Sequence, residues 1–325
     1  MKYFINTYGR SFWALCILLF SLQNLNAQQF KLNTRGMIFP NPVNYKYKPV
    51  GLLNCDSSVF NQEVDFFSSQ IFCSANFSQA TFHAPCIFKK TDFKSKVDFK
   101  GCEFRLGANF CFVKAKAPVD FSGSHFYGNA LFWMSGFSDE VNLSDVDFSH
   151  DAFFMGSHFQ SVNCQNSNFR GETGFEEISV DDSLVLKKVK FAKEVRFNDA
   201  RLGSHFILEE ISSDHVLRFT GAFLPDTLEI KNCKLLLPID FDSCFPNPNG
   251  KCLVYLENIS PEDLWMDFRL FEIWFPSQNF MDFMERKKIY EKFLKLEEKR
   301  NRKESLNALK NQYIQFLSRE SGMDY

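Results

Sequence analysis

Six histidines, His83, His125, His150, His158, His205 and His215, are the side chains of this chain best suited to proton transfer or metal binding near neutral pH. None stands at a ligand spacing with cysteines or carboxylates. No nucleophile elbow, phosphate-binding loop or metalloprotease helix is present. The acidic pair Asp181 and Asp182 reads as a turn. Asn76, Asp98, Asp120, Asn142 and Asn163 recur at nearly constant spacing. Such a ladder either holds a cation or forms a solvated face with its own hydrogen bonds. Ten cysteines fall mostly on repeat positions, where Cys acts as a small apolar filler. Cys244 and Cys252 bracket one loop and are the candidate disulfide. The sequence therefore offers no catalytic residues, no metal site and no cofactor site, and an enzyme is not expected.

The chemistry that remains is contact. It depends on a repeat that accounts for the most unusual feature of the composition, 41 Phe against 15 Gly and 11 Pro. From Phe66 onward, apolar residues recur at alternating steps of five and six, and the sharper period is 22. Phe66, Phe88, Phe110, Phe132 and Phe154 follow at that period. One residue is dropped between Phe159 and Cys164, and the series resumes as Phe175, Phe197, Phe219 and Phe241. Three further apolar columns run in parallel, so a coil of 22 residues has four sides. Two residues before each column position stands a mostly small, uncharged residue. Positions i and i−2 share one face of an extended segment, so each side is a short strand with two residues inward. Stacked coils bury that inner face and pair their backbones along the axis. Aromatic rings repeated once per coil form a ladder.

The alternation of small residue, polar residue and central Phe, as in Ala75, Asn76, Phe77 or Val119, Asp120, Phe121, resembles the pentapeptide-repeat family. The resemblance covers residues 55–241 and implies a right-handed, four-sided β-solenoid. The chain departs from the family pattern by one extra residue in every second repeat. The fold class expected is mainly β, such a solenoid followed by a C-terminal α-helical segment.

Outward positions of the first column break the polar rule in two adjacent coils. Leu131 and Trp133, then Phe153 and Met155, would lie side by side, with Ile87 and Phe67 further along. A contiguous exposed apolar patch of this kind marks a contact surface. Three fates are open for it: cover by the chain's own C-terminal helices, an outside partner or self-association, or plain exposure.

The remainder divides as follows. Residues 1–27 read as a secretory signal, with Lys2 and Arg10, an apolar run over 12–22, and Ala27 at the cut. An uncleaved anchor or a buried helix is the competing reading. Residues 28–54, with Pro40, Pro42 and Pro49, read as an irregular N-terminal cap. The lattice fails at Pro246, and 242–276 read as a C-terminal cap. Within it, 264–275 is either a last coil or a short helix. Residues 277–325 have helical periodicity, as two helices hinged at 299–303 or one continuous helix. Between 285 and 320 there are eleven Lys or Arg and six acids. This basic tail is a second candidate for contact, with a protein or a membrane surface.

Net charge is −2 and pI near 6.3, which gives no general attraction to nucleic acid. The expected role is a non-enzymatic exported scaffold in the cell envelope, the periplasm or outside the cell, with a protein partner the sequence does not name. The alternatives are a DNA-mimicking protector of a topoisomerase, which the resemblance implies, and an envelope protein bound to membrane or polysaccharide. A secretory signal argues against a topoisomerase partner, which is cytoplasmic.

Overall fold

The computed structural model describes residues 32–276 and 281–321. The secretory signal expected over 1–27 lies outside the described residues. Residues 32–276 form a parallel β-solenoid of about 11 turns, followed by two helices. Every strand pair in the solenoid is parallel, and the partners lie one coil apart, as in Ala108↔Ala130 and Ala130↔Ala152.

The interior is the apolar lattice the spacing predicts. All nine first-column Phe residues are at most 1% exposed. Their rings stack face to face, with centroids 5.1 Å apart for Phe88 and Phe110, 5.1 Å for Phe110 and Phe132, and 4.9 Å for Phe132 and Phe154. A second stack runs down the fourth column from Phe39 and Phe60 to Phe191. Across the interior, Phe110 meets Phe121 edge-on at 5.2 Å and 84°. Parallel stacks thus lock to each other through T-shaped contacts, the geometry the ring quadrupole favours.

The four columns run on three hydrogen-bonded sheets. In the early coils the second and third columns are separate two-residue strands, Gln70–Ile71 and Ala75–Asn76. In the three coils with Gly136–Asn142, His158–Asn163 and Ser179–Lys187 a single strand spans both, and the next coil has two strands again, Arg201–Leu202 and His205–Glu209. The dropped residue is absorbed there as a bulge, with register shifts after Phe137 and Phe159. Asp181 and Asp182 lie inside the strand Ser179–Lys187, so the turn expected at this pair is replaced by extended backbone.

Corners alternate in kind. The corner after each first- and third-column residue up to Ile230 carries a positive φ two positions on, at Ser68, Gln79, Lys90, Phe112 and Met134 among others. Its i→i+3 bond, such as Ser69 N–H to the Phe66 carbonyl at 3.0 Å, closes a turn of type II character. The polar ladder serves this corner. Asn76, Asp98, Asp120, Asn142 and Asn163 each accept the backbone N–H two residues on, at 2.8–3.1 Å. These are Asx turns, which hold the chain in position to enter the strained residue.

Both expected caps are corrected. Residues 32–54 are no irregular cap: they form strands paired with the next coil, at Leu32↔Leu53, Ile38↔Val59 and Val43↔Val64. This coil is spaced by 21 residues, which hid it from a 22-residue search. Tyr45 begins the first-column stack, 5.2 Å above Phe66. Its prolines have an edge function. In the next coil, Asn61 donates to Phe39 and Gln70 donates to Lys48. Pro40 and Pro49 occupy the equivalent positions on the open edge, where an N–H would project into solvent, and proline has none.

At the other end, the lattice does not fail at Pro246. Cys252–Glu257, Leu264–Trp265 and Phe271–Ile273 pair with the preceding coils. Only residues Pro261–Asp263 form a short 3-10 turn.

The tail is two helices, α1 (Phe283–Arg300) and α2 (Lys303–Ser321). Asp282 and Glu285 form a capping box at the start of α1, and Asn301 ends it with φ of 57°. Tyr290, Phe293, Leu309 and Phe316 join the solenoid core. The helices also satisfy the last coil's free backbone. Gln312 accepts from Ile273 N–H at 3.2 Å and donates to the Phe268 and Phe271 carbonyls at 3.2 and 2.7 Å. Ser305 accepts from Phe268 N–H, and Arg300 and Arg302 reach the Leu264 and Met266 carbonyls. The tail therefore plugs the C-terminal edge, and its apolar side is used in doing so.

Candidate docking face

The first-column side is built from position −1, the inward Phe, position +1 and the corner residue at +2. In most coils the outward positions are polar. In the Phe132 coil they are Leu131, Trp133 and Met134, and in the Phe154 coil Phe153, Met155 and Gly156. Leu131 pairs in register with Phe153. Trp133 is 41% exposed and its ring lies 6.3 Å from that of Phe153, while Leu131, Phe153 and Met155 are half-buried. The four residues singled out by sequence thus form one surface.

Sequence reasoning missed the corner residues. Phe112 is 42% exposed and Met134 59%. Both extend the patch along the same face, because the positive-φ corner turns its side chain outward. Their place two residues after each first-column Phe was the available signal, but non-glycine residues at such a corner have no sequence signature. The patch is packed over glycines. A Cβ on Gly156 would come within 2.4 Å of the Met134 sulfur, and one on Gly174 within 3.0 Å of the Phe153 ring. These glycines leave the room in which the two side chains lie.

Charge brackets the patch. On the N-terminal side Lys89 and Lys90 place their ammonium groups 5.9 and 5.8 Å from the Phe112 and Phe67 ring centres. On the C-terminal side stand Glu172, Glu176 and Glu177, with Arg196 bonded to Glu176 at 2.5 Å.

No family model, curated protein or solved structure matches the chain. The remaining candidates are therefore weighed on geometry alone. The C-terminal helices bond to Asp242 and to residues 264–273, several coils from Trp133, so they do not account for the patch. Cys244 and Cys252 are separate free thiols, which corrects the disulfide expected between them. The Cys244 thiol instead donates to the Phe219 carbonyl at 3.2 Å, taking the corner position that Ser holds elsewhere. Burial pushes it up to about 12.

His158 faces Asp181 at 3.2 Å and His125 bonds Ser149 at 2.7 Å. Among the described residues no group of three or more His, Cys, Asp or Glu is arranged to hold a metal. A groove of about 820 Å³ runs between the last coils and α1, lined by Glu229, Lys231, Tyr255, Glu257, Lys288 and Lys292. Part of its polar lining is engaged internally: Lys231 pairs with Glu229 at 2.8 Å and with Glu209 at 3.3 Å, and Tyr255 donates to Glu257 at 2.7 Å. Among the described residues, no helix is long and apolar enough to cross a membrane.

Proposed function

We propose that this chain is an exported, non-enzymatic scaffold of the pentapeptide-repeat type, which binds protein through the first-column face around Trp133. One observation carries the reading. On the third column the −1 position is Asn or Asp in every coil from Asn54 to Asn163, because an Asx turn supports the strained corner that follows. The first column uses the same device at Asp65, Asn109 and Asp240. It is absent at Ile87 and from Leu131 through Phe153, Gly174 and Arg196 to Arg218, and at Leu131 and Phe153 an apolar side chain takes its place in two consecutive coils. The fold gives up a local hydrogen bond there for exposed apolar surface, and departures of this kind concentrate at functional sites. The patch also has what a protein-binding hot spot needs: a Trp, a Phe and adaptable Met side chains, rimmed by charge.

The test is the double substitution Trp133→Ala with Phe153→Ala. Both side chains point out of the solenoid, so the fold should keep its melting temperature within a few degrees. Cross-linked partners and oligomeric state should both change. Unchanged partners together with an unchanged oligomeric state would remove the docking role.

A further inference from the structure

We infer that the occupant of this face is a second copy of the same chain, laid antiparallel across it about a two-fold axis through the Trp133 coil. The inference rests on the docking role above and names its partner. In a face-to-face antiparallel pair with the axis lying in the interface, position +1 of one coil meets position +1 of the coil equally far on the other side of the axis, and likewise for −1 and +2.

With the axis at the Phe132 coil, Leu131, Trp133 and Met134 each meet their own counterparts. One coil out, the Phe110 coil faces the Phe154 coil of the second copy. The exposed Phe112 side chain then faces the Gly156 corner, where the Met134 sulfur of the second copy lies, Cys111 faces Met155 and Asn109 faces Phe153. Phe112 and Met134 thus make an apolar contact at the corner, continuous with the Met134 pair at the axis. Two coils out, the Phe88 coil faces the Phe175 coil. Lys89 meets Glu176 and Lys90 meets Glu177. Both lysines on the N-terminal side of the axis thus meet a carboxylate, while Glu172 meets Pro85 and Asp199 meets Ser68, neither of them charged. Exposed pairs of this kind contribute register and partner choice more than strength, while the desolvated Trp133 centre supplies the affinity.

The corner positions make the charge test clean. Lys90 and Glu177 both already adopt positive φ, at 62° and 56°, so each accepts the other's side chain without new backbone strain. The full-length chain, measured by analytical ultracentrifugation over a range of concentration and at low salt, should sediment as a dimer. Trp133→Asp should give a folded monomer. Lys90→Glu and Glu177→Lys should each weaken the dimer several-fold, and the two combined in one chain should restore it, because the two-fold axis brings the swapped residues back together.

A monomer at all concentrations overturns the proposal. So does a dimer that survives Trp133→Asp, or a double charge swap that weakens further instead of restoring. None of these results removes the docking role itself, which fails only if the Trp133→Ala and Phe153→Ala chain keeps its cross-linked partners and its oligomeric state.

Discussion

Ser135 binds the coil before it through the Phe110 carbonyl, to which its hydroxyl donates at 2.7 Å. The same oxygen accepts the Val113 N–H at 3.1 Å. One buried hydroxyl thus satisfies a donor and an acceptor of the neighbouring coil. Ser124 and Ser167 repeat the arrangement, and Thr91, Cys102 and Cys244 keep its donor half. Ser135→Ala leaves the Val113 N–H with only its 3.3 Å bond to the Phe110 carbonyl and should cost about 1 kcal/mol in chemical denaturation. Ser135→Cys should cost less, since cysteine already serves at Cys102 and Cys244. Equal losses for both would show that the bridge carries little.

Much of this fold could be read from the sequence because one residue type marks one column. Nine Phe residues give the coil length, the inward face and the number of columns before any coordinates. Other parts were hidden for physical reasons. The first coil uses Phe39, Tyr45 and Val50 at a 21-residue spacing and is broken by prolines, so its periodicity is too short to detect. The last coil has Met266 and Phe268 after an irregular loop. The fusion of two sides in the three coils between Gly136 and Lys187 depends on a corner being straight or bent, which both the column pattern and the apolar content allow. Leu131, Trp133, Phe153 and Met155 were legible because alternation fixes which residues point out. Phe112 and Met134 were not, since their exposure follows from a backbone angle.

The prolines of the open N-terminal edge give a second prediction. Pro40 and Pro49 withhold two N–H groups at positions where the coils below donate. Replacing both with Thr restores the donors and creates a pairing edge. Light scattering should show concentration-dependent association of the double variant beyond that of the unmodified chain. Identical scattering would mean that other features, such as the Lys46 and Lys48 charges, already protect this edge.

Gln312 tests the plug at the other end. Gln312→Leu keeps an apolar fit but removes partners from Phe268, Phe271 and Ile273. A loss of at least about 2 kcal/mol is expected. Hydrogen exchange should accelerate at residues 268–273 and leave the Phe110 region unchanged. Uniform acceleration along the rod would show that the helices do not act locally.

The thiols set a pH window. Burial pushes Cys55 and Cys233 up to about 11, and Cys164 up to about 12, from an ordinary value of 9.0. A group that holds its proton more tightly when folded stabilises the fold below its unfolded value, and that contribution disappears as pH rises through the folded one. Urea midpoints should therefore be insensitive to these groups below about pH 8.5 and fall between about 9 and 12. Cys164→Val should flatten part of that decline. At pH 8 the exposed Cys73 should react with a thiol reagent well before the buried cysteines. A midpoint constant to pH 11 would contradict the burial assigned to these side chains.

The most direct test of the docking face is site-specific photo-cross-linking in the native cell. A benzophenone side chain is placed at Phe153, and as a control at Gln70, an exposed position on a neighbouring side of the solenoid. Protein adducts, whether with a second copy or another chain, should form at 153 and be absent or several-fold weaker at 70. Equal yields at both positions, or none at 153, would contradict the account.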